Sequence, residues 1–339
     1  MDQRGRAWGI RVSGIELGLT VRRRLTARRN GEFAMTTPGD ENVFVRDGRL
    51  FIKATLQDRD LVEQDATIDL LEDGTCTSDD ALRCMAATNT TEGNSTIVPP
   101  AKSGRVHTKK GASIKYGRIE VTAKLPRGDW LWPAIWMMPV TETYGPWPAS
   151  GEIDIMESRG NDYTYPQGGN NIVSSALHWG PDPANDAWWR TNSRRSALRT
   201  TYSDEFNVFG LEWSQDYLFT YVNTRLLQVM YTNFEKPFWE RGSFPQFSEN
   251  GTRIGDIWSQ TGRPQTPFDQ EFYLILNLAV GAQNGWFEDS PNKPWRDGSD
   301  SAMKDFWTSQ DSWLPTWTQP QMEISKVMMW QQCDGDEGL

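Results

Sequence analysis

Gly151-Glu152-Ile153-Asp154-Ile155-Met156-Glu157 sets three carboxylates among apolar residues. Side chains on a β-strand alternate between its faces, so Glu152 and Asp154 point one way and Ile153 and Ile155 the other. Glu157 is out of phase with both. A regular strand would turn it toward the apolar face, where an unpartnered carboxylate is costly. One extra residue in a β-bulge restores the phase, and Ile155 or Met156 is then the insertion. The alternative is that Glu157 ends the strand and is exposed. Either way, the stretch reads as one strand of a sheet packed on an apolar core.

Working outward, many short segments alternate with period two between Gly, Pro, Asn or Asp. They are Asn42–Ala54, Ile114–Leu125, Ile172–Trp179, Phe206–Trp213, Tyr217–Asn223, Phe272–Val280 and Met322–Trp330. Helical crossovers are not visible, so the fold class predicted is all-β, a jelly-roll sandwich of two antiparallel sheets. Polar stretches at 141–150, 159–171, 180–205 and 233–269 read as loops. Those at 233–269 and 281–320 are rich in Trp, Phe, Pro and Gly and are predicted to wall a cleft. In Tyr116–Ala123, Arg118 shares a polar face with Glu120 and Thr122; in Ser174–His178, His178 shares one with Ser174; and Asn277 is a lone amide in an apolar strand. These faces could line a groove or be ordinary wet surface.

The chain has 339 residues and a net charge of −10, which gives no electrostatic footprint for nucleic acid. No apolar run is long enough to cross a bilayer. Seventeen Trp residues are the outlier. Most suit a core, and a minority suit sugars, whose apolar C–H faces stack on aromatic rings. Of three cysteines, Cys76 and Cys84 are spaced to staple a loop, and Cys333 is left over. Sequons begin at Asn89, Asn94 and Asn250, which favours secretion. Residues 1–29 carry eight arginines and do not read as a signal peptide. They are expected to stand apart from a core domain at 30–333, with a tail at 334–339.

Three aligned carboxylates suit a retaining glycosidase, which needs two carboxyl groups about 5–5.5 Å apart. A third between them would separate their proton affinities. A calcium site or a solvated acidic edge are the alternatives. Calcium prefers carboxylates and carbonyls on a flexible loop, whereas Ile153, Ile155 and Met156 favour a rigid strand.

Glu152 to Glu157 resembles the signature of family 16 glycoside hydrolases, in the form with one extra residue before the last Glu. That form is typical of laminarinase-like endo-β-1,3(4)-glucanases. Tyr116–Glu120, Leu131–Met137, Trp147–Gly151, Ala176–Trp179, Phe209–Trp213 and Leu274–Gly281 also resemble family segments, and the likeness runs from about 30 to 332. The loops look most like secreted fungal members. Asn30–Thr37 departs from the family's early segment: Ala34 stands where Gln is usual and Thr36 where Tyr is usual.

The resemblance implies Glu152 as nucleophile, Asp154 as assisting carboxylate and Glu157 as acid/base. It implies a concave substrate face, with Trp132, Trp136 and Trp147 as sugar platforms, Trp132 being the one that could instead be core. His178 would bond within the carboxylate network or be purely structural, and Arg118 and Asn277 are further substrate-binding candidates. No cofactor is required. A structural calcium occurs in the family, but the sequence places no ligands for it. The partner implied is β-glucan, with no nucleic acid and no membrane span, and a secreted or wall-bound monomer is expected. Competing readings are a β-glucan-recognition protein without activity, which would generally lack a catalytic carboxylate, and a transglycosylase.

Overall fold

In the computed structural model the alternating segments assemble into two antiparallel eight-stranded sheets. The structure describes residues 30–332 except Asp79 and Glu249, together with the backbone of the short strands Ala7–Ile10 and Thr20–Val21. One sheet, the carboxylate sheet, runs in the order Asn192–Ser196, Ile172–His178, Glu152–Ser158, Leu131–Pro139, Phe272–Val280, Arg105–His107 and Thr20–Val21, with Ser113–Ile114 also paired to Phe272–Val280. The other, the supporting sheet, runs Gln228–Asn233, Tyr217–Val222, Asn207–Trp213, Gly117–Lys124, Gln321–Gln331, Arg49–Lys53 and Val43–Arg46, with Ala7–Ile10 on Gln321–Gln331. Neighbours in sequence are often not neighbours in the sheet, as the jelly-roll expectation requires.

Alternation builds the core between them. Ile119, Val121 and Ala123 of the supporting sheet join one apolar cluster with Ile135, Ile153, Leu177, Leu274 and Leu276 of the carboxylate sheet. Each such fully buried aliphatic contributes about 1.5–3 kcal/mol. Cys76 and Cys84 form a disulfide and pack with Met35 and Leu70 in a small satellite cluster. Cys333 and the 334–339 tail lie outside the described residues.

Two expectations change. The polar stretch 180–205 contains a strand, Asn192–Ser196, whose Asn-Ser-Arg-Arg-Ser sequence has no apolar alternation because it is an exposed edge. Leu131–Pro139 forms a central strand without polar–apolar alternation, because its outward positions are Trp132, Ala134, Trp136 and Met138. Residues 1–29 were expected apart from the core. Two short pieces of them, Ala7–Ile10 and Thr20–Val21, pair through the backbone with Gln321–Gln331 and Arg105–His107.

Candidate active site

The strand Glu152–Ser158 lies between Leu131–Pro139 and Ile172–His178. Its pairing is regular at first: Glu152 faces His178, and Asp154 faces Trp136 on one side and Ala176 on the other. The register then slips, and Glu157 faces Ala134 and Ser174. Met156 keeps a partner in Ile135 while Ile155 is passed over, so Ile155 is the inserted residue on that side. Both enter the core, at 2% and 1% exposure. The bulge thus buries two consecutive apolar side chains and returns Glu157 to the face of Glu152 and Asp154. The residues that face Asp154 and Glu157 across the ladder include the small Ala134, Ser174 and Ala176.

Each glutamate receives an indole N–H. Trp147 Nε1 donates to Glu152 Oε2 at 2.6 Å, and Trp132 Nε1 donates to Glu157 Oε1 at 3.0 Å. His178 Nε2 lies 3.2 Å from Asp154 Oδ2, and its Nδ1 lies 2.6 Å from Asp186 Oδ2. Asp186 is fixed in turn: its Oδ1 accepts the backbone N–H groups of Trp179 and Trp188, each at 3.2 Å. Burial alone would lower the proton affinity of His178, but hydrogen bonds to Asp154 and Asp186 raise it well above the usual imidazole range. An aspartate therefore faces each ring nitrogen, an arrangement that favours the protonated ring.

Burial, and then the charge of Asp154, push Glu157 up to about 8 and Glu152 up to about 7. The imidazolium and the indole donors pull both the other way. The two glutamates both sense the charge of Asp154 and titrate as a set, so the pair holds a proton closer to neutrality than a free carboxyl would. One ionised and one protonated carboxyl on a single face can divide nucleophile and acid work.

The aromatic surroundings are asymmetric. Trp136 donates its Nε1–H to Asn277 Oδ1 at 2.6 Å, with the Arg105 guanidinium 4.5 Å from its ring centroid. Trp132 is covered by Trp286, stacked at 4.6 Å with 11° between planes. Arg159 lies 4.1 Å from the Trp286 ring and donates twice to the Trp286 carbonyl, at 2.9 and 2.7 Å. Trp147 and Trp188 flank His178 at 5.7 and 6.2 Å. Trp188 and Trp189 remain exposed, at 45% and 59%.

Glu152, Asp154, Glu157, Trp132, Trp136, Trp147, His178 and Asn277 thus come together. Trp132 stacks one face on Trp286, stands at 8% exposure and donates to Glu157. Arg118 is a correction: it lies on Gly117–Lys124 of the supporting sheet, 4.0 Å over the Trp330 ring. Alternation gave it a polar face but could not say which sheet that face belonged to. Sequence reading missed Asp186, Trp286, Arg159 and Arg105. Trp286 lies in a stretch predicted to wall the cleft, and Asp186 sits in a polar loop that nothing marks.

Ligand atoms of Glu152, Asp154 and His178 lie within 4.8 Å of one another, a spacing that a cation could use. Both nitrogens of His178 already face aspartates, and the chemistry of that arrangement favours a proton over a metal.

The profile of glycosyl hydrolases family 16 matches residues 72–272. This chain belongs to glycosyl hydrolases family 16. Among family relatives, a beta-1,3-glucan-binding protein of Penaeus monodon is 38% identical over 310 residues, covering 88% of this chain and 80% of that protein. A glucan endo-1,3-beta-glucosidase of Cryptopygus antarcticus is 37% identical over 180 residues, covering 53% of this chain and 55% of that one. A laminarinase catalytic domain from Thermotoga maritima shares the fold, with TM-score 0.59, 21% identity and coverage of 98% and 100% of the two chains. The fungal origin expected from the loops gains no support, since the Penaeus and Cryptopygus relatives are both invertebrate proteins.

Proposed function

We propose that this family 16 chain is a retaining endo-hydrolase of β-1,3- or mixed β-1,3/1,4-glucan. The observation that carries the reading is the bulge, which brings Glu157 onto the face of Glu152 and Asp154 with an indole donor on each glutamate. Glu152 attacks the anomeric carbon, forming a glycosyl–enzyme ester as the glycosidic bond breaks. Glu157 gives its proton to the departing oxygen. Water then attacks the same anomeric carbon, giving one proton to Glu157 as the bond from the sugar to Glu152 breaks and frees the carboxylate. Burial, and then the neighbouring Asp154, which faces His178, keep the proton affinities of the two glutamates high. Trp136, Trp147 and Trp188 border the sugar path.

The name of the Penaeus monodon relative favours a second reading, β-glucan recognition without cleavage. Incubation with laminarin, lichenan and barley β-glucan, with product lengths and the anomer first released read by NMR, separates the two. Retained β-anomers of several lengths support hydrolysis. Binding of laminarin with no release from any substrate supports recognition alone.

The same reading places the chain outside the cell as a monomeric glycoprotein. The disulfide and the sequon residues Asn89 and Asn250, both exposed, support this. Retention inside expressing eukaryotic cells, or a dimer mass in light scattering, would count against it. Among the described residues no helix is long and apolar enough to cross a membrane.

A further inference from the structure

Two hydroxyl side chains, Ser175 and Thr220, stand at 0% exposure in the space between the sheets. A hydroxyl buried there is unfavourable unless it is bonded, and both are. Ser175 lies on Ile172–His178 at the place where Ile155 and Met156 share one partner position. Thr220 lies on the facing sheet at a second irregularity, where pairing with Gln228–Asn233 passes over Val229. Ser175 Oγ–H donates to the Ile155 carbonyl at 2.7 Å. Thr220 Oγ1–H donates to Ser175 Oγ at 2.7 Å, and the Met230 N–H donates to Thr220 Oγ1 at 3.2 Å.

A bulge disturbs the ladder and leaves backbone groups in need of other partners. Here one continuous chain of hydrogen bonds starts at the bulged carbonyl of one sheet and ends at a backbone N–H beside the slip in the other. We propose that Ser175 and Thr220 are positioning residues that lock the carboxylate bulge to the supporting sheet and so fix where Glu157 stands relative to Glu152. Ser175 is one residue from Ser174, which faces Glu157 across the ladder. A bulge free to slide by one residue would reverse the face of Glu157, because the side-chain period is two. The hydroxyl pair holds the one register in which the acids share a face. The inference rests on the reading of Glu157 as the acid/base.

The test compares Ser175→Ala, Thr220→Val and Thr220→Ser in the full chain. Three readouts are taken: thermal melting, kcat and KM on laminarin, and a substrate-free titration of the glutamate carboxyls by carbon-13 NMR. In Ser175→Ala, kcat should fall about 10- to 100-fold with KM within about twofold, and the Glu157 titration should move by about half a unit or more. Thr220→Val should shift both in the same direction by less, and Thr220→Ser, which keeps the hydroxyl, should restore wild-type values. If Ser175→Ala and Thr220→Val melt earlier yet leave kcat and the Glu157 titration unchanged, the pair is structural only and the inference falls. If wild type releases no sugar, the hydrolase reading fails, while the titrations still decide the positioning role. Should Ser175→Ala not fold, the Thr220 pair decides it.

Discussion

The two outward faces of the sandwich are made of similar materials and arranged to opposite ends. On the supporting sheet, Tyr217 donates to Glu212 at 2.9 Å and Tyr221 donates to Glu120 at 2.8 Å. Gly210 admits this reach, since a Cβ there would stand 2.1 Å from the Tyr221 ring. Each of those glutamates also has an arginine: Arg225 on Glu212 and Arg118 beside Glu120. On the carboxylate sheet the donors are indoles, and the middle one of three acids faces a histidine that Asp186 also holds. Aromatic donors over glutamates are therefore common to both faces. What sets the carboxylate face apart is three acids crowded into one patch, and the bulge creates the crowding.

The largest effect should come from Glu152→Gln set against Glu212→Gln. The first should reduce laminarin turnover by about 10⁴-fold while binding in affinity electrophoresis survives. The second should stay within about twofold, as surface changes away from a site do. Near-normal turnover in Glu152→Gln would remove the distinction between the faces and the nucleophile with it. Deleting Ile155 comes next. It should close the bulge, turn Glu157 toward the core and reduce turnover by about 10²-fold or more. A folded deletion variant with unchanged activity on β-1,3-glucan would mean that the extra residue does not align the acids.

That pair of experiments marks how far the sequence could be read. Period-two alternation was enough to draw most strands of the supporting sheet and, on the other, Glu152–Ser158, Ile172–His178 and Phe272–Val280, and the misfit of Glu157 was enough to suggest a bulge, with an exposed strand end as the alternative. It failed where outward positions are not polar, as at Trp132, Ala134 and Trp136, and where neither face is apolar, as in Asn192–Ser196. Arg118 shows a deeper limit. Alternation assigns a residue to a face, but only strand order assigns that face to a sheet, and here Gly117–Lys124 lies beside Gln321–Gln331, some two hundred residues later in the chain. Asp186 was illegible because its role is second-hand: it acts on Asp154 through His178, from a loop.

Asp186→Asn sharpens the comparison at that point, by removing one of the two aspartates that face His178. Hydrogen bonds to Asp154 and Asp186 raise the proton affinity of His178, so removing one of these carboxyl groups should let the ring lose its proton at lower pH. With the imidazolium gone, the field that favours ionised Glu152 weakens. The acidic limb of the pH–rate profile should then move to higher pH, and kcat at pH 6 should fall about tenfold. Nitrogen-15 NMR of the ring gives a check without substrate. An unmoved His178 titration would show that Asp186 only braces the loop.

The smallest effect should follow from Trp132→Phe, paired with Tyr221→Phe on the other face. Phe keeps an aromatic ring against Trp286 but removes the N–H that stabilises ionised Glu157. The Glu157 proton should be held more tightly, moving the basic limb upward with only a few-fold change in maximal rate, whereas Tyr221→Phe should leave the profile where it is. Stability follows from the same shift. Glu157 binds its proton more tightly folded, at about 8, than at its ordinary 4.5, so folding is favoured below that window and loses ground as pH rises through it. Trp132→Phe widens the window at its upper end. Its melting temperature should therefore drop more than wild type's between pH 5 and pH 8, beyond any loss common to both. Equal drops in the two proteins, with an unmoved basic limb, would mean that the indole is packed beside Glu157 without acting on its proton.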